Sequence, residues 1–287
     1  MADPGDRERR TGPIGVFDSG LGGLTVVREL LRAMPGERIV YLGDTARVPY
    51  GIKSLDTVRR FAMEDAAFLL RHGPKLVVVA CNTASAAAVD VLRRTCPVTV
   101  VDVIGPGAAA AVEATAECVG VIGTEATVRS GAYQRAIRGI DPTREVHAVA
   151  CPLLVPIVEE GRDPDDPIVL HVLCDYLRDL QRLRPGALIL GCTHYPLLAG
   201  AIAKLMGPAT VLVDSARATA LEVRRLLCDT DALRPDRDGG HLRCFTTGQA
   251  DRFARLGKRF MGEEIAWVRQ VGTDELTADG PAGTEQE

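Results

Sequence analysis

The sequence predicts an α/β protein in which parallel, helix-covered sheets form two related halves. Three observations carry this expectation. Strand-like apolar runs alternate with helical patterns along nearly all of the 287 residues, an alternation that only a parallel sheet with helical crossovers accommodates. Two of those runs, LVVVACNTAS and LILGCTHYPLL, share one design, each delivering a cysteine (Cys81 and Cys192) from a buried strand into a polar, helix-starting segment. Similar elements also recur at similar spacing, with Asp18 63 residues before Cys81 and Gly123 69 residues before Cys192.

Taken in order, IGVFDSG (14–20) reads as a strand and turn, TVVRELLRAM as a helix stopped by Pro35-Gly36, and RIVYLGD as a second strand. Ser54 is suited to cap a helix running through Arg71 and ended by Gly73-Pro74. The Cys81 strand follows, then an alanine-rich helix with Asn82 as its expected cap, and a strand near 97–101. CVGVIGTEAT (118–127) then echoes IGVFDSG. A helix is expected over roughly Thr127 to Arg138, a strand at EVHAVAC, and a longer helix over about Asp166 to Arg182. The Cys192 strand, a helix from about Tyr195 to Met206 and the strand TVLVDSA complete the second half. Beyond 215 come an Arg-rich amphipathic helix, a Pro/Asp/Gly linker (234–240), a strand-helix pair, and a polar tail expected to be disordered from about Thr273.

Composition narrows the function. With 46% hydrophobic residues the chain has apolar surface enough for two cores, so two domains are expected. A formal charge of -4 and no basic stripe interleaved with aromatics argue against nucleic acid as a partner. Eight cysteines without a CxxC or CxxH pair fit reduced thiols rather than a disulfide framework or zinc site, so no metal is expected. The start, MADPGDRERRTGP, has no apolar core of a signal peptide, and VTVVDVIGPGAAAAV is too short and too broken to span a bilayer. A cytoplasmic protein without a membrane partner is expected.

The chemistry-bearing residues gather at the strand ends, where α/β proteins collect ligands. An isolated buried cysteine is commonly a small hydrophobe. A helix N-terminus, however, favours the thiolate, and at Cys81 the Asn82 amide and the Thr83 hydroxyl could hold a carboxylate. Cys192 leaves its strand with a hydroxyl, Thr193, and an imidazole, His194. Asp18 and Ser19 end the first strand; the GLGG after them lacks the third glycine of a dinucleotide turn, since Thr25 stands there. GDTARVPYGIK (43–53) is a long connection of the kind that walls a site. Glu159 and Glu160 close a short apolar segment, and sequence chemistry alone does not choose between them.

In these residues the chain resembles the glutamate racemases, cofactor-independent enzymes that make D-glutamate for bacterial peptidoglycan. The resemblance runs from about Ile14 to Ala266 and rests on GVFDSGLGGLTV, YLGDTARVPYG, VACNTASA, GVIGTEATVRSGAY, CPLLVPIVEEG and GCTHYPLL, in order. It implies two similar doubly wound parallel-sheet domains with the active site in the cleft between them, the first made of 1–103 and 216–287 and the second of 104–215. It implies Cys81 and Cys192 as the acid/base pair, Asp18 supporting Cys81, and Glu159 and His194 supporting Cys192. Asp18, Ser19, Tyr50, Gly51, Asn82, Thr83, Thr193 and His194 would surround L- or D-glutamate. No cofactor is implied; oligomeric state varies among similar proteins, and a homodimer is one option.

Two-sided proton transfer at Cα needs one thiolate and one thiol on opposite faces of the carbon, so two bases are a stereochemical necessity. A pyridoxal enzyme would need a Schiff-base lysine, and none of Lys53, Lys75, Lys204 and Lys258 falls at a strand end expected to be catalytic. Three rivals stay open: a two-thiol racemase for aspartate, a hydantoin or another acid; an acyl-transfer enzyme using Cys192, His194 and Glu159, though the G-x-C-x-G elbow is missing; and a non-catalytic amino-acid-binding module.

Overall fold

The computed structural model describes residues 11–235 and 239–277. Its strands form two sheets in which every paired neighbour is parallel. In the first half, β1 (Ile14–Asp18), α1 (Leu24–Ala33), β2 (Arg38–Gly43), α2 (Leu55–Leu70), β3 (Leu76–Val79), α3 (Asn82–Thr95) and β4 (Thr99–Asp102) follow one another. The second half holds α4 (Ile104–Ala114), β5 (Val119–Gly123), α5 (Glu125–Ser130), α6 (Ala132–Ile140), β6 (Val146–Ala150), α7 (Leu154–Glu159), α8 (Pro167–Leu183), β7 (Ala187–Gly191), α9 (Ala199–Met206) and β8 (Val211–Asp214). The chain then returns through α10 (Ser215–Asp229), β9 (His241–Thr246), α11 (Ala250–Met261) and β10 (Val268–Gln270).

The sheet orders explain the repetition in the sequence. The second sheet runs β6-β5-β7-β8 and the first contains β2-β1-β3-β4, the same winding, extended beside β2 by β9 and β10. In each, the central pair (β1 and β3, β5 and β7) is where the crossovers diverge, and a crevice opens at the strands' carboxyl ends. All four of these strands are buried along their whole length, as strands covered by helices on both faces must be. Asp102 and Asp214 end the outer strands and cap the helices that carry the chain across. Asp102 accepts the Ile104 and Gly105 N–H groups at 2.6 and 2.8 Å, and Asp214 accepts that of Ala216 at 2.9 Å.

Helix limits follow local chemistry. Ser54 accepts the Thr57 N–H at 3.2 Å and starts α2, and Asp166 accepts that of Ile168 at 2.8 Å and starts α8. The single helix expected over Thr127 to Arg138 is two, because Gly131 adopts φ 65°, a left-handed bend that ends α5 and starts α6. Tyr195–Leu198 is a 3-10 turn before α9, so the segment after Cys192 enters a 3-10 turn rather than an α-helix.

Among the described residues the apolar interior forms three clusters rather than one per half. Two line the outer faces of the sheets, and the third runs from Val16 and Leu24 through Ile122, Leu173 and Leu190 to Ala220 and Phe253, joining the halves. Phe245 of β9 packs edge-on against Phe68 at 5.2 Å and Trp267 at 5.1 Å, which seats the returning chain on the first half. The tail expected to be disordered from about Thr273 is ordered through Thr277: Leu276 is fully buried in that outer cluster, and Arg71 donates to the Glu275 carbonyl. The remainder of the tail, and 236–238 of the linker, lie outside the described residues.

Candidate active site

A cavity of about 360 Å³ opens between the carboxyl ends of the two sheets, and both Cys81 and Cys192 line it. Ser19, Tyr50, Gly51, Asn82 and Thr83 contribute from the first half, and Thr124, Glu159, Thr193 and His194 from the second. A volume of that order suits a small polar molecule.

Cys81 itself, not Asn82, is the cap of α3: its sulfur accepts the Ala84 N–H at 3.5 Å and lies 3.7 Å from the Ser19 hydroxyl. The pull of the helix N-terminus toward the thiolate is outweighed here. Burial, and then the Asp18 carboxylate, push it up to about 12 against the pull of the Ala84 N–H and Ser19, so it rests as a thiol.

The Cys192 turn is built differently. Its sulfur sits 3.9 Å from His194 Nδ1, and His194 Nε2 lies 3.1 Å from Glu159 Oε1. Burial disfavours the imidazolium, but hydrogen bonds and charge from Cys192 and Glu159 outweigh it and push His194 up to about 10. The Phe260 ring from α11 meets the imidazole edge-on at 5.3 Å. Arg259 of the same helix donates to the Val158 carbonyl at 3.1 Å, offsetting the cost of a carboxylate at the end of α7. Glu160 points away, 66% exposed and paired with Arg162.

Other predicted residues reach the cavity in unequal ways. Asp18 is fully buried behind the lining, its Oδ2 accepting the Gly20 N–H at 2.9 Å and its Oδ1 the Thr193 hydroxyl at 3.4 Å. Burial raises its pKa, against the pull of His194, the Gly20 and Gly23 N–H groups and Thr193. The Tyr50 hydroxyl is turned away, donating to Asp44 at 2.5 Å and lying 3.0 Å from Asp65, within a network that Arg47 ties together. Tyr50 and Gly51 line the cavity from a 3-10 turn whose first N–H groups have no partner within the turn. Thr83 Oγ1 meets Thr124 Oγ1 at 2.9 Å and Thr127 Oγ1 at 3.3 Å, a hydroxyl cluster that bridges the halves.

The GLGG segment, refused above as a dinucleotide turn, has a steric role. A Cβ on Gly22 would stand 2.1 Å from Thr193 Oγ1 and 2.6 Å from His194 Nδ1, and one on Gly23 2.5 Å from the Asp18 Cβ. Only hydrogen side chains let the start of α1 approach the Cys192 turn this closely. Among the lysines, Lys75 is buried in an ion pair with Glu37 at 2.7 Å. No cluster of three or more metal-ligating side chains occurs among the described residues, and no described helix is long and apolar enough to cross a membrane.

The family model for Asp/Glu/hydantoin racemases matches residues 14–223, which takes in both thiols and every residue set around the cavity. The chain belongs to the Asp/Glu/hydantoin racemase family. A glutamate racemase of Geobacter metallireducens is 48% identical over 264 residues, covering 91% of this chain and 97% of its own. The crystal structure of a glutamate racemase isoform from Bacillus anthracis superposes with a TM-score of 0.88 at 40% identity, over 91% of this chain and 98% of that one. The glutamate racemase of Francisella tularensis, crystallised in complex with D-glutamate, gives 0.86 at 37% identity, over 92% and 99%. Within this racemase-family fold, three contributors were given no role by the sequence although they stand in the motif GVIGTEATVRSGAY: Thr124 and Thr127, and Tyr133, whose partner Asn82 is 51 residues away.

Proposed function

We propose that the chain interconverts L- and D-glutamate without a cofactor, by proton transfer at Cα between Cys81 and Cys192. One observation carries this reading: the two thiols occupy equivalent strand ends of a repeated topology and line the same cavity. The names of relatives at 48% and 40% identity support glutamate as the substrate.

In the direction that begins with Cys192 as the base, His194 stands beside its sulfur, and Cys81, raised by burial and then Asp18, carries the proton to be given. The Cys192 thiolate takes the Cα proton: an S–H bond forms, the C–H bond breaks, and its electron pair passes into the substrate carboxylate. Cys81 then gives its proton to the opposite face and is left as thiolate, the state from which the reverse reaction begins. The Tyr50 and Gly51 N–H groups, the Asn82 amide and the Thr83 hydroxyl donate to the substrate's carboxylates, where charge develops, and the Thr193 oxygen, whose proton goes to Asp18, accepts from the ammonium group. The buried Asp18 charge, sensed by Cys81, is offset when an ammonium group enters beside Ser19.

The same reading places 1–103 with 216–287 in one α/β unit and 104–215 in the other, matching strand membership of the two sheets. Eight free cysteines fit a reducing cytoplasm, with a homodimer as the assembly to test by sedimentation. The deciding experiment for the activity is incubation with each glutamate enantiomer in heavy water. Solvent deuterium at Cα with inversion, and neither net consumption nor ammonia release from glutamine, is expected. Failure of both enantiomers to exchange rejects the reading, and exchange of aspartate alone reassigns the substrate.

A further inference from the structure

Tyr133 does not line the cavity, yet it stands between the two thiol-bearing turns. It projects from α6 and is 1% exposed. Its hydroxyl donates to Asn82 Oδ1 at 2.6 Å and lies 3.0 Å from Ser215 Oγ, where the chain re-enters the first half. Its ring covers Gly191, the residue before Cys192: a Cβ there would come within 3.0 Å of Tyr133 Cε2.

Asn82 follows Cys81 directly and faces the cavity, so the way its amide points decides what the cavity offers an anion. The two ends of an amide have nearly the same shape and opposite hydrogen-bonding character. A contact of 2.6 Å has the length of O–H···O rather than N–H···O, so the carbonyl oxygen is the end that Tyr133 holds. We propose that Tyr133 is a positioning residue: by taking up the carbonyl of Asn82 it commits the Asn82 NH2 group to donate to the carboxylate of the bound amino acid. This rests on the reading of the cavity as an amino-acid racemase site. Without the phenol oxygen the amide is free to turn, and its oxygen would then face the substrate's negative charge.

The test is Tyr133→Phe, which keeps the ring over Gly191 and removes one oxygen. KM for glutamate is expected to rise about three- to tenfold, the worth of one oriented hydrogen bond, and kcat to fall by a smaller factor, because charge grows on the carboxylate that the amide holds. Placed on Asn82→Ala, the same change should add less than about twofold, since Tyr133 then has no amide to orient. Asn82→Asp provides a second variant of the same shape: it lacks a donor end and should raise KM further than Tyr133→Phe. An unaltered KM in Tyr133→Phe, an undiminished effect on Asn82→Ala, or near-native binding by Asn82→Asp would each overturn the inference. Wild-type turnover measured alongside separates the cases, since an inert wild type rejects the racemase reading itself.

Discussion

His194 joins two acidic neighbours at once: its Nε2 is 3.1 Å from Glu159 and its Nδ1 is 3.9 Å from the Cys192 sulfur. Among the described residues no such cation acts on Cys81, and the charge that does is the carboxylate of Asp18. The two halves therefore repeat a fold but not an electrostatic environment, and the proton inventory of the free site is set by that difference.

The His194 charge should be visible in pH dependence. Its folded-state pKa, about 10, lies above its ordinary 6.5, so the stabilisation is complete below pH 6.5 and is lost as pH rises through 10. The stability advantage of wild type over His194→Asn, measured by urea denaturation, should shrink steadily between pH 7 and 10. Glu159→Gln removes one of the supporting interactions, and the alkaline limb of kcat/KM should move down by roughly one unit. A limb that stays in place would show that Glu159 does not act through His194.

Loss of either thiol should abolish racemisation but leave part of the chemistry. Cys81→Ser and Cys192→Ser are each expected to lower kcat by about 10³ or more, within the range that a positioned acid or base supplies. The remaining thiol still faces one side of Cα, so each variant should exchange the Cα proton of a single enantiomer with retention, and the two variants should choose opposite enantiomers. Proton NMR in heavy water reads this directly. The same enantiomer exchanging in both would place the sulfurs on one face.

Much of this was legible because strands buried on both faces are continuous apolar runs, and the residue that ends such a run must reach the crevice. Cys81, Cys192 and Asp18 were found that way. What stayed hidden depends on partners distant in sequence. Nothing near Asn82 announces Tyr133, and nothing near His194 announces Phe260, 66 residues on. Cap identity was hidden as well, because a thiol is a poor competitor with an amide for an N–H group, and only the fold turns the Cys81 sulfur toward Ala84. β10 is three residues long with two exposed, too short for alternation to register.

The polar tail shows how one residue overrides composition. Leu276 is the apolar member of a segment otherwise rich in Thr, Asp and Glu, and it is fully buried beside Val271 and the Phe68 cluster. Leu276→Ala should cost about 2–4 kcal/mol, the range for truncating a buried leucine. A thermal midpoint unchanged within error would mean that the segment is not seated on α2.

Gly22 offers the sharpest separation of stability from activity. The atoms a new Cβ would strike, Thr193 Oγ1 at 2.1 Å and His194 Nδ1 at 2.6 Å, belong to side chains at the site, and Gly22 itself lies in the turn before α1. Relief therefore comes from displacing the Cys192 turn rather than from opening the core. Gly22→Ala should cost about 1–3 kcal/mol in stability as an overpacked contact, leaving the protein folded. It should lower kcat/KM by at least about tenfold, because His194 is forced from its position between Cys192 and Glu159. Circular dichroism and glutamate turnover on the same preparation test both halves of the statement. Native activity in Gly22→Ala would mean that the two turns are not held against each other in the working enzyme.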